Sequence, residues 1–259
     1  MSRKMMVFCF LIVSCLYAYD ENSMPGLDVP TQLEAKSLEA SIVHRFYRSP
    51  TANFPDNFIT MANVMLGFKY VVFPKLEVGT SYQFMGKEYT FHAAYSLFFP
   101  KAFLRTQALV RFFGAMRDTN TLWDENLLYE INFQSEPIAG RFLPLINLAY
   151  NGLTNKIGLG TGLDVVIFSN FDFLAEYYPV LGTRETVLYS ETKKVNCFLA
   201  GLKNSTPGHQ FMFTISNNYD IGNRRHMAGA TDNTLYYGFN IQRLFTFLPK
   251  PQAVIFQSP

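Results

Sequence analysis

Between Ser37 and Phe247 the chain repeats one pattern, a run of alternating apolar and polar residues closed by a short break. Leu76, Val78, Tyr82 and Phe84 oppose Lys75, Glu77, Ser81 and Gln83, and after the break at Met85-Gly86-Lys87 the residues Tyr89, Phe91, Ala93, Tyr95 and Leu97 oppose Glu88, Thr90, His92 and Ser96. A period of two is the mark of a strand with one wet and one dry face. A single such run also fits a half-buried strand of a soluble sheet. The count decides: further runs lie near 37–46, 62–72, 102–113, 126–134, 141–150, 157–168, 171–179, 193–203, 211–218 and 234–245, twelve in all with no helical periodicity between them. Each is close to the ~9–11 residues that a tilted strand needs to cross a bilayer. The number is even, as in single-chain bacterial barrels. The expectation is an all-β fold, a closed antiparallel transmembrane β-barrel of about 12 strands in up-and-down meander order.

The breaks give an orientation. Phe73-Pro74-Lys75 and Phe99-Pro100-Lys101 are separated by two runs, so they turn at the same rim, and Leu248-Pro249-Lys250 follows the last run at that end. Proline ends a ladder by lacking an N–H, and lysine reaches headgroups or water. Connections on this side are short, about two to seven residues, against about four to fifteen on the other, the asymmetry of short periplasmic turns and longer external loops. Met85-Gly86-Lys87 is then an external tip.

Residues 1–18 read as a secretory signal, with Arg3 and Lys4 before an apolar stretch from Met5 to Val13 and a small residue at Ala18. Ile12 to Cys15 also resembles a lipoprotein box in which Cys15 would carry the lipid. Residues 19–36, with Pro25, Gly26 and Pro30, are expected to form a periplasmic lead-in, residues 37–247 the barrel and residues 248–259 a periplasmic tail. Removing Arg3 and Lys4 from the 22 Lys and Arg leaves 20, equal to the 20 Asp and Glu, so nucleic-acid binding has no electrostatic basis. Of the three cysteines only Cys197 lies beyond the signal, which excludes an internal disulfide. No later run of eighteen apolar residues provides a helical span.

Two short motifs, His44-Arg45-Phe46 near the start and Gly238-Phe239-Asn240-Ile241-Gln242-Arg243-Leu244-Phe245 at the end, resemble a family of bacterial outer-membrane β-barrels of unknown function. That family carries an early H-R-F and ends near G-F-N-x-x-R-x-F. The resemblance implies a barrel and no catalytic residue. One departure is the stretch from Leu248 to Pro259, since barrels of the best-known kind finish on an aromatic residue.

The candidate chemistry is sparse. An outer-membrane phospholipase pairs a histidine with a serine near the outer rim, but His92 and Ser96 lie two pleats apart and no H-x-S-N-G signature occurs. His44, His92, His209 and His226 have no metal-ligand spacing. Neither catalytic residues nor a cofactor are expected. Gly158-Leu159-Gly160-Thr161-Gly162 has no loop-to-helix context for phosphate binding, and its glycines share one parity, so a low-profile lumen stripe is expected. By the same parity the lumen set is Glu77, Glu88, His92, Arg105, Arg111, Glu130, Arg141, Asp164, Asp172 and Glu176. Arg224 and Arg225, with His226, fall in the longest external loop; the first reading is a solvated loop, and the functional one is contact with anionic lipopolysaccharide or a ligand. Outer-membrane lipids and the barrel-assembly machinery are the other expected partners, and the bacterial outer membrane the location. The leading expectation is a passive narrow channel for small solutes. The alternatives are a structural or surface-binding barrel with a blocked lumen, an outer-membrane lipid hydrolase, and a soluble barrel around an apolar ligand.

Overall fold

A computed structural model describes residues 23–47 apart from 32, 62–115 apart from 86, 127–180, 184–186, 191–193 and 195–247. The signal segment with Cys15, Gly86 at the expected loop tip and the tail from Leu248 lie outside the described residues. Twelve strands close into one antiparallel barrel. They are β1 (Ser37–Phe46), β2 (Ala62–Phe73), β3 (Leu76–Gln83), β4 (Glu88–Phe99), β5 (Leu104–Ala115), β6 (Leu127–Ser135), β7 (Phe142–Asn151), β8 (Lys156–Phe168), β9 (Phe171–Tyr178), β12 (Cys197–Thr206), β13 (His209–Ser216) and β14 (Tyr236–Thr246). A small separate hairpin, β10 (Arg184–Thr186) with β11 (Glu191–Lys193), stands on the connection between β9 and β12. Neighbours in sequence pair around the ring, and β1 closes on β14 from Ser37↔Thr246 to Arg45↔Gly238.

Alternation sorts the side chains as a barrel in lipid requires. Phe68 and Phe91 are 51% and 56% exposed on the outer face, while Glu77, Gln83, Glu88 and Thr90 on the neighbouring positions are buried inside. Eight outward phenylalanines, Phe73, Phe99, Phe103, Phe142, Phe168, Phe171, Phe245 and Phe247, ring the end that carries the short turns. Tyr89, Tyr129, Tyr150 and Tyr177 ring the other. These are the two aromatic girdles of an interface, with the phenolic hydroxyls at the end of the long loops. Both Pro74 and Pro100 lie at the phenylalanine end, Pro100 opening a single 3-10 turn to Ala102. Lys75 and Phe103 leave these turns at positive φ.

The motifs at the two ends of the chain meet at the seam. His44 pairs with Phe239 and stacks on it, with ring centroids 4.7 Å apart. Arg45 donates to Asn240 Oδ1 at 2.7 Å. A side chain at Gly238 would strike the Arg45 stem, its Cβ falling 2.6 Å from Arg45 Cδ, so glycine is required where the arginine crosses the seam.

Candidate functional site: the occupied lumen

Two segments fill the barrel from opposite mouths. The first is the lead-in. Over its described residues it lies inside the lumen rather than outside the barrel, turns at Pro25-Gly26-Leu27 and returns to β1. Ser23 Oγ hydrogen-bonds with Gln242 at 2.7 Å, and also with Gln210, near the mouth that carries the short turns. At the turn, Arg45 donates to Pro25 O at 3.4 Å, and the N–H groups of Gly26 and Leu27 donate to Glu176 Oε1 at 2.9 and 3.1 Å. On the return, Arg111 pairs with Asp28 at 2.7 Å, Asn147 Nδ2 donates to Asp28 O at 2.9 Å, and Thr31 N donates to Ser96 Oγ at 3.2 Å. The physical reason is that Met24, Leu27 and Leu33 are apolar in a segment otherwise short of neighbours, and the barrel interior is where they can be buried.

The second is the loop between β13 and β14. It turns inward through a short helix, α1 (Asn223–Ala228), all of whose residues are buried. Arg224 and Arg225 therefore do not present themselves to lipopolysaccharide. They are 1% and 3% exposed, and both donate to Glu88 Oε2, at 2.6 and 2.9 Å. Arg224 also lies over the Phe113 ring at 3.5 Å. The Glu88 carboxylate on the inner wall attracts the pair more strongly than hydration by the loop surroundings holds it out. Asn151 Nδ2 donates to Arg224 O at 2.7 Å, and Asn223 donates to Glu130.

The segments touch at the centre. A Cβ on Gly26 would fall 2.5 Å from His226 Nδ1, so the lead-in turn lies directly under α1. The His226 ring packs edge-on against Tyr178, and Tyr178 donates to Glu176 Oε2 at 2.9 Å. The glycine stripe of β8 makes this possible. A Cβ on Gly158 would lie 2.8 Å from Met227 Sδ, and one on Gly160 would lie 2.6 Å from Leu27 Cδ2. Met24, Leu27 and Met227 join Leu128, Leu145 and Leu174 in an apolar core inside the lumen.

Of the expected lumen set, Glu77, Glu88, Arg111, Glu130, Asp164 and Glu176 lie on the inner wall, and Glu88, Arg111, Glu130 and Glu176 bond to the plug. His92 Nε2 sits 3.5 Å from Glu77 Oε1, and Lys203 bridges Asp172 at 2.8 Å and Asp164. Arg105 is at the rim that carries the short turns, paired with Glu136 at 2.9 Å and stacked on Phe98. Arg141 does not reach the lumen: it is exposed in the turn before β7, because the strand begins only at Phe142. Ser96 Oγ is held by Thr31 and Gln107 and does not approach His92. Among the described residues no group of His, Cys, Asp or Glu is placed to hold a metal. The parts that sequence reasoning missed are Arg45 and Asn240 as the latch on Pro25, and Tyr178 beside α1. The signal for the first pair was present in the two end motifs, and for the lead-in in Met24, Leu27 and Leu33 flanking Pro25-Gly26.

The plug leaves open space beside it among the described residues, including a cavity of about 550 Å³ at the mouth with the short turns, between Thr31, Leu33 and Glu34 of the lead-in and Ser96 and Arg105 of the wall. A cavity of about 180 Å³ lies between the lead-in and the wall of β1 to β5, reaching from Glu39 and Lys69 up to Glu88 and Asn223.

No curated protein matches the sequence significantly. Among solved structures, an outer membrane channel from Pseudomonas putida F1 shares 9% identity, with 86% of this chain and 100% of that chain covered and a TM-score of 0.50. An active-site mutant of outer membrane phospholipase A from Escherichia coli shares 10%, covering 84% and 93%, with a TM-score of 0.46. A mutant of the Rh. blastica porin shares 11% over 71% of this chain, which spans 55% of the porin's length, with a TM-score of 0.38. Residues 145–245 match the family described as "Membrane bound beta barrel domain (DUF5777)". Those residues run from β7 to β14 and include the glycine stripe, α1 and the seam motif, and the chain that holds them is a closed twelve-stranded membrane β-barrel of the outer-membrane type.

Proposed function

We infer that the protein is a bacterial outer-membrane barrel that is closed at rest and acts as a structural or surface-binding component, without enzymatic chemistry. The observation that carries this reading is the apolar core inside the lumen. A water-filled pore has a polar inner wall, whereas here Leu128, Leu145, Leu174 and Tyr178 face inward and are covered by Met24, Leu27 and Met227. Undocking either segment would return these side chains to water at roughly 1.5–3 kcal/mol for each large one. The location rests on the lipid-facing aromatic girdles and the family match, and outer-membrane lipids, lipopolysaccharide and the assembly machinery are the partners such a barrel would meet. The non-enzymatic reading is supported by His92 and Ser96, both turned into the filled lumen and engaged with Glu77 and with Thr31.

A second reading, the narrow solute channel, is favoured by the cavity along β1 to β5, whose lining carries charged and hydroxyl groups such as Glu39, Lys69, Glu77, Ser81 and Thr90 among apolar ones. Single-channel recording of the refolded full chain separates the two. The closed barrel shows no sustained open level in the wild type and a clear one only when residues 23–33 and α1 (Asn223–Ala228) are both deleted. A stable small conductance in the intact wild type would replace the first reading by the second. Recovery of the native protein in the soluble periplasmic fraction would remove both.

A further inference from the structure

The seam accounts for Gly238 and Asn240 of the end motif, but not for Arg243 and Phe245. On β14 the residues Phe239, Ile241, Arg243 and Phe245 share the outward face, opposite the buried Asn240 and Gln242. When the registers are followed from strand to strand around the ring, Arg243 is the one Lys, Arg, Asp or Glu at an outward position of the twelve barrel strands, among the described residues. A cation on this face is costly at the bilayer midplane and nearly free at the interface.

Its level is that of the interface. The short turn Pro207-Gly208 joins β12 to β13, and His209 is the first residue after it. His209 pairs with Arg243, and Leu244 N donates to Gly208 O at 2.9 Å, so Arg243 stands level with the turn, at the rim of phenylalanines. Around it the protein supplies rings and no anion. Arg243 Nη1 meets the His209 ring, the guanidinium carbon lies 5.2 Å from the centre of the Phe245 ring, and the His209 ring lies nearly parallel to that of Phe211 with centroids 6.0 Å apart. On its other side Arg243 faces the small Ala40 of β1. The side chain is exposed, and no carboxylate among the described residues pairs with it.

We propose that Arg243, steadied by His209 and Phe245, binds the headgroup phosphate of a membrane phospholipid in the leaflet at the rim of short turns. A guanidinium offers a planar fork of donors that matches two phosphate oxygens, and a long side chain at this depth reaches the headgroup layer. The acyl chains have a surface to follow. From His209 and Arg243 towards the other rim the outward row continues through Phe211 beside Ile241 and Phe213 beside Phe239, with Phe211 and Phe213 exposed. The site rests on the outer face meeting lipid, and not on whether the lumen is closed, which conductance reads separately.

The full chain in detergent is titrated with dioleoylphosphatidylglycerol and its lipid adducts are read by native mass spectrometry, with dioleoylglycerol, which has the same chains and no phosphate, as the comparison. The wild type is expected to retain the phospholipid and not the diacylglycerol. Arg243→Gln lowers the phospholipid adduct by about tenfold, the loss of one charge-assisted hydrogen bond. Ala40→Glu, which sets a competing carboxylate opposite the guanidinium, lowers it as far. Arg105→Gln, at the same rim but paired with Glu136, leaves it unchanged. Equal adducts in the wild type and Arg243→Gln overturn the proposal, as does an equal loss in Arg105→Gln, which means diffuse attraction to the rim. Retention of dioleoylglycerol to the same extent removes the phosphate from the account. Displacement of the lipid by excess glycerol phosphate shows that a free phosphate suffices and overturns the lipid assignment. If Arg243→Gln does not fold, an adduct undiminished in Ala40→Glu overturns the proposal instead.

Discussion

At Glu176 the N–H groups of Gly26 and Leu27 and the hydroxyl of Tyr178 converge on one buried carboxylate, and through Tyr178 the same group supports the ring of His226. Replacing it with alanine leaves two backbone donors buried without an acceptor, at about 1–3 kcal/mol each. Glu176→Ala is therefore expected to lower stability in urea titrations of the refolded protein. It should also remove hydrogen-exchange protection from residues 26 and 27, while the strand amides stay protected; unchanged protection at the turn would contradict the latch. Glu88 plays the matching part for the outer segment. Glu88→Ala strands two buried guanidiniums, and breaking a buried ion pair from one side costs roughly 3–5 kcal/mol. Trypsin added from outside should then cut after Arg224 or Arg225, positions it cannot reach in the wild type. The inward direction of Glu88 and Glu176 was legible from alternation alone. Their partners were not, because those come from segments without a period, and Arg45 meets Asn240 across 195 residues of sequence.

The strands were readable because each must satisfy two solvents at once, lipid outside and a polar or packed interior inside, and this imposes the period of two on every one. Where a segment has no such double demand, as in the lead-in and the β13–β14 loop, alternation does not show which way it turns, and the cue for the lead-in lies instead in its apolar Met24, Leu27 and Leu33. The edges of runs are the weak point for the same reason: Arg141 continues the parity of β7 but falls in the turn before it. In β8 the glycines serve the contents of the barrel more than the strand itself. Gly160→Leu is expected to leave the ladder paired and to expel the lead-in, since even a Cβ there falls 2.6 Å from Leu27 and 2.9 Å from Tyr178. Loss of protection over residues 24–31 with unchanged β-sheet circular dichroism would be the outcome; a retained lead-in would show that the stripe has slack. On the outer face, Phe91→Arg puts a charge among the lipid tails and should cost about 2–4 kcal/mol in bilayer unfolding, with Phe91→Leu near neutral as the control.

For the whole molecule, the sequence pattern settles a barrel and leaves open whether anything passes through it, because a lumen is a volume and its occupancy depends on which loose segments enter it. Twelve strands enclose more space than inner side chains alone can fill, as eight do, and here two foreign segments take up the difference. Their routes matter. Over its described residues the lead-in fills the lumen from the mouth with the short turns, and the α1 loop fills it from the mouth with the long loops, tied to the wall by one backbone bridge between Ala230 and Val195. Each can withdraw alone. When one does, the other still stands across the opening, and the barrel works as an airlock: whatever is admitted at one face meets a closed door at the next, and the barrier function of the membrane never hangs on a single segment.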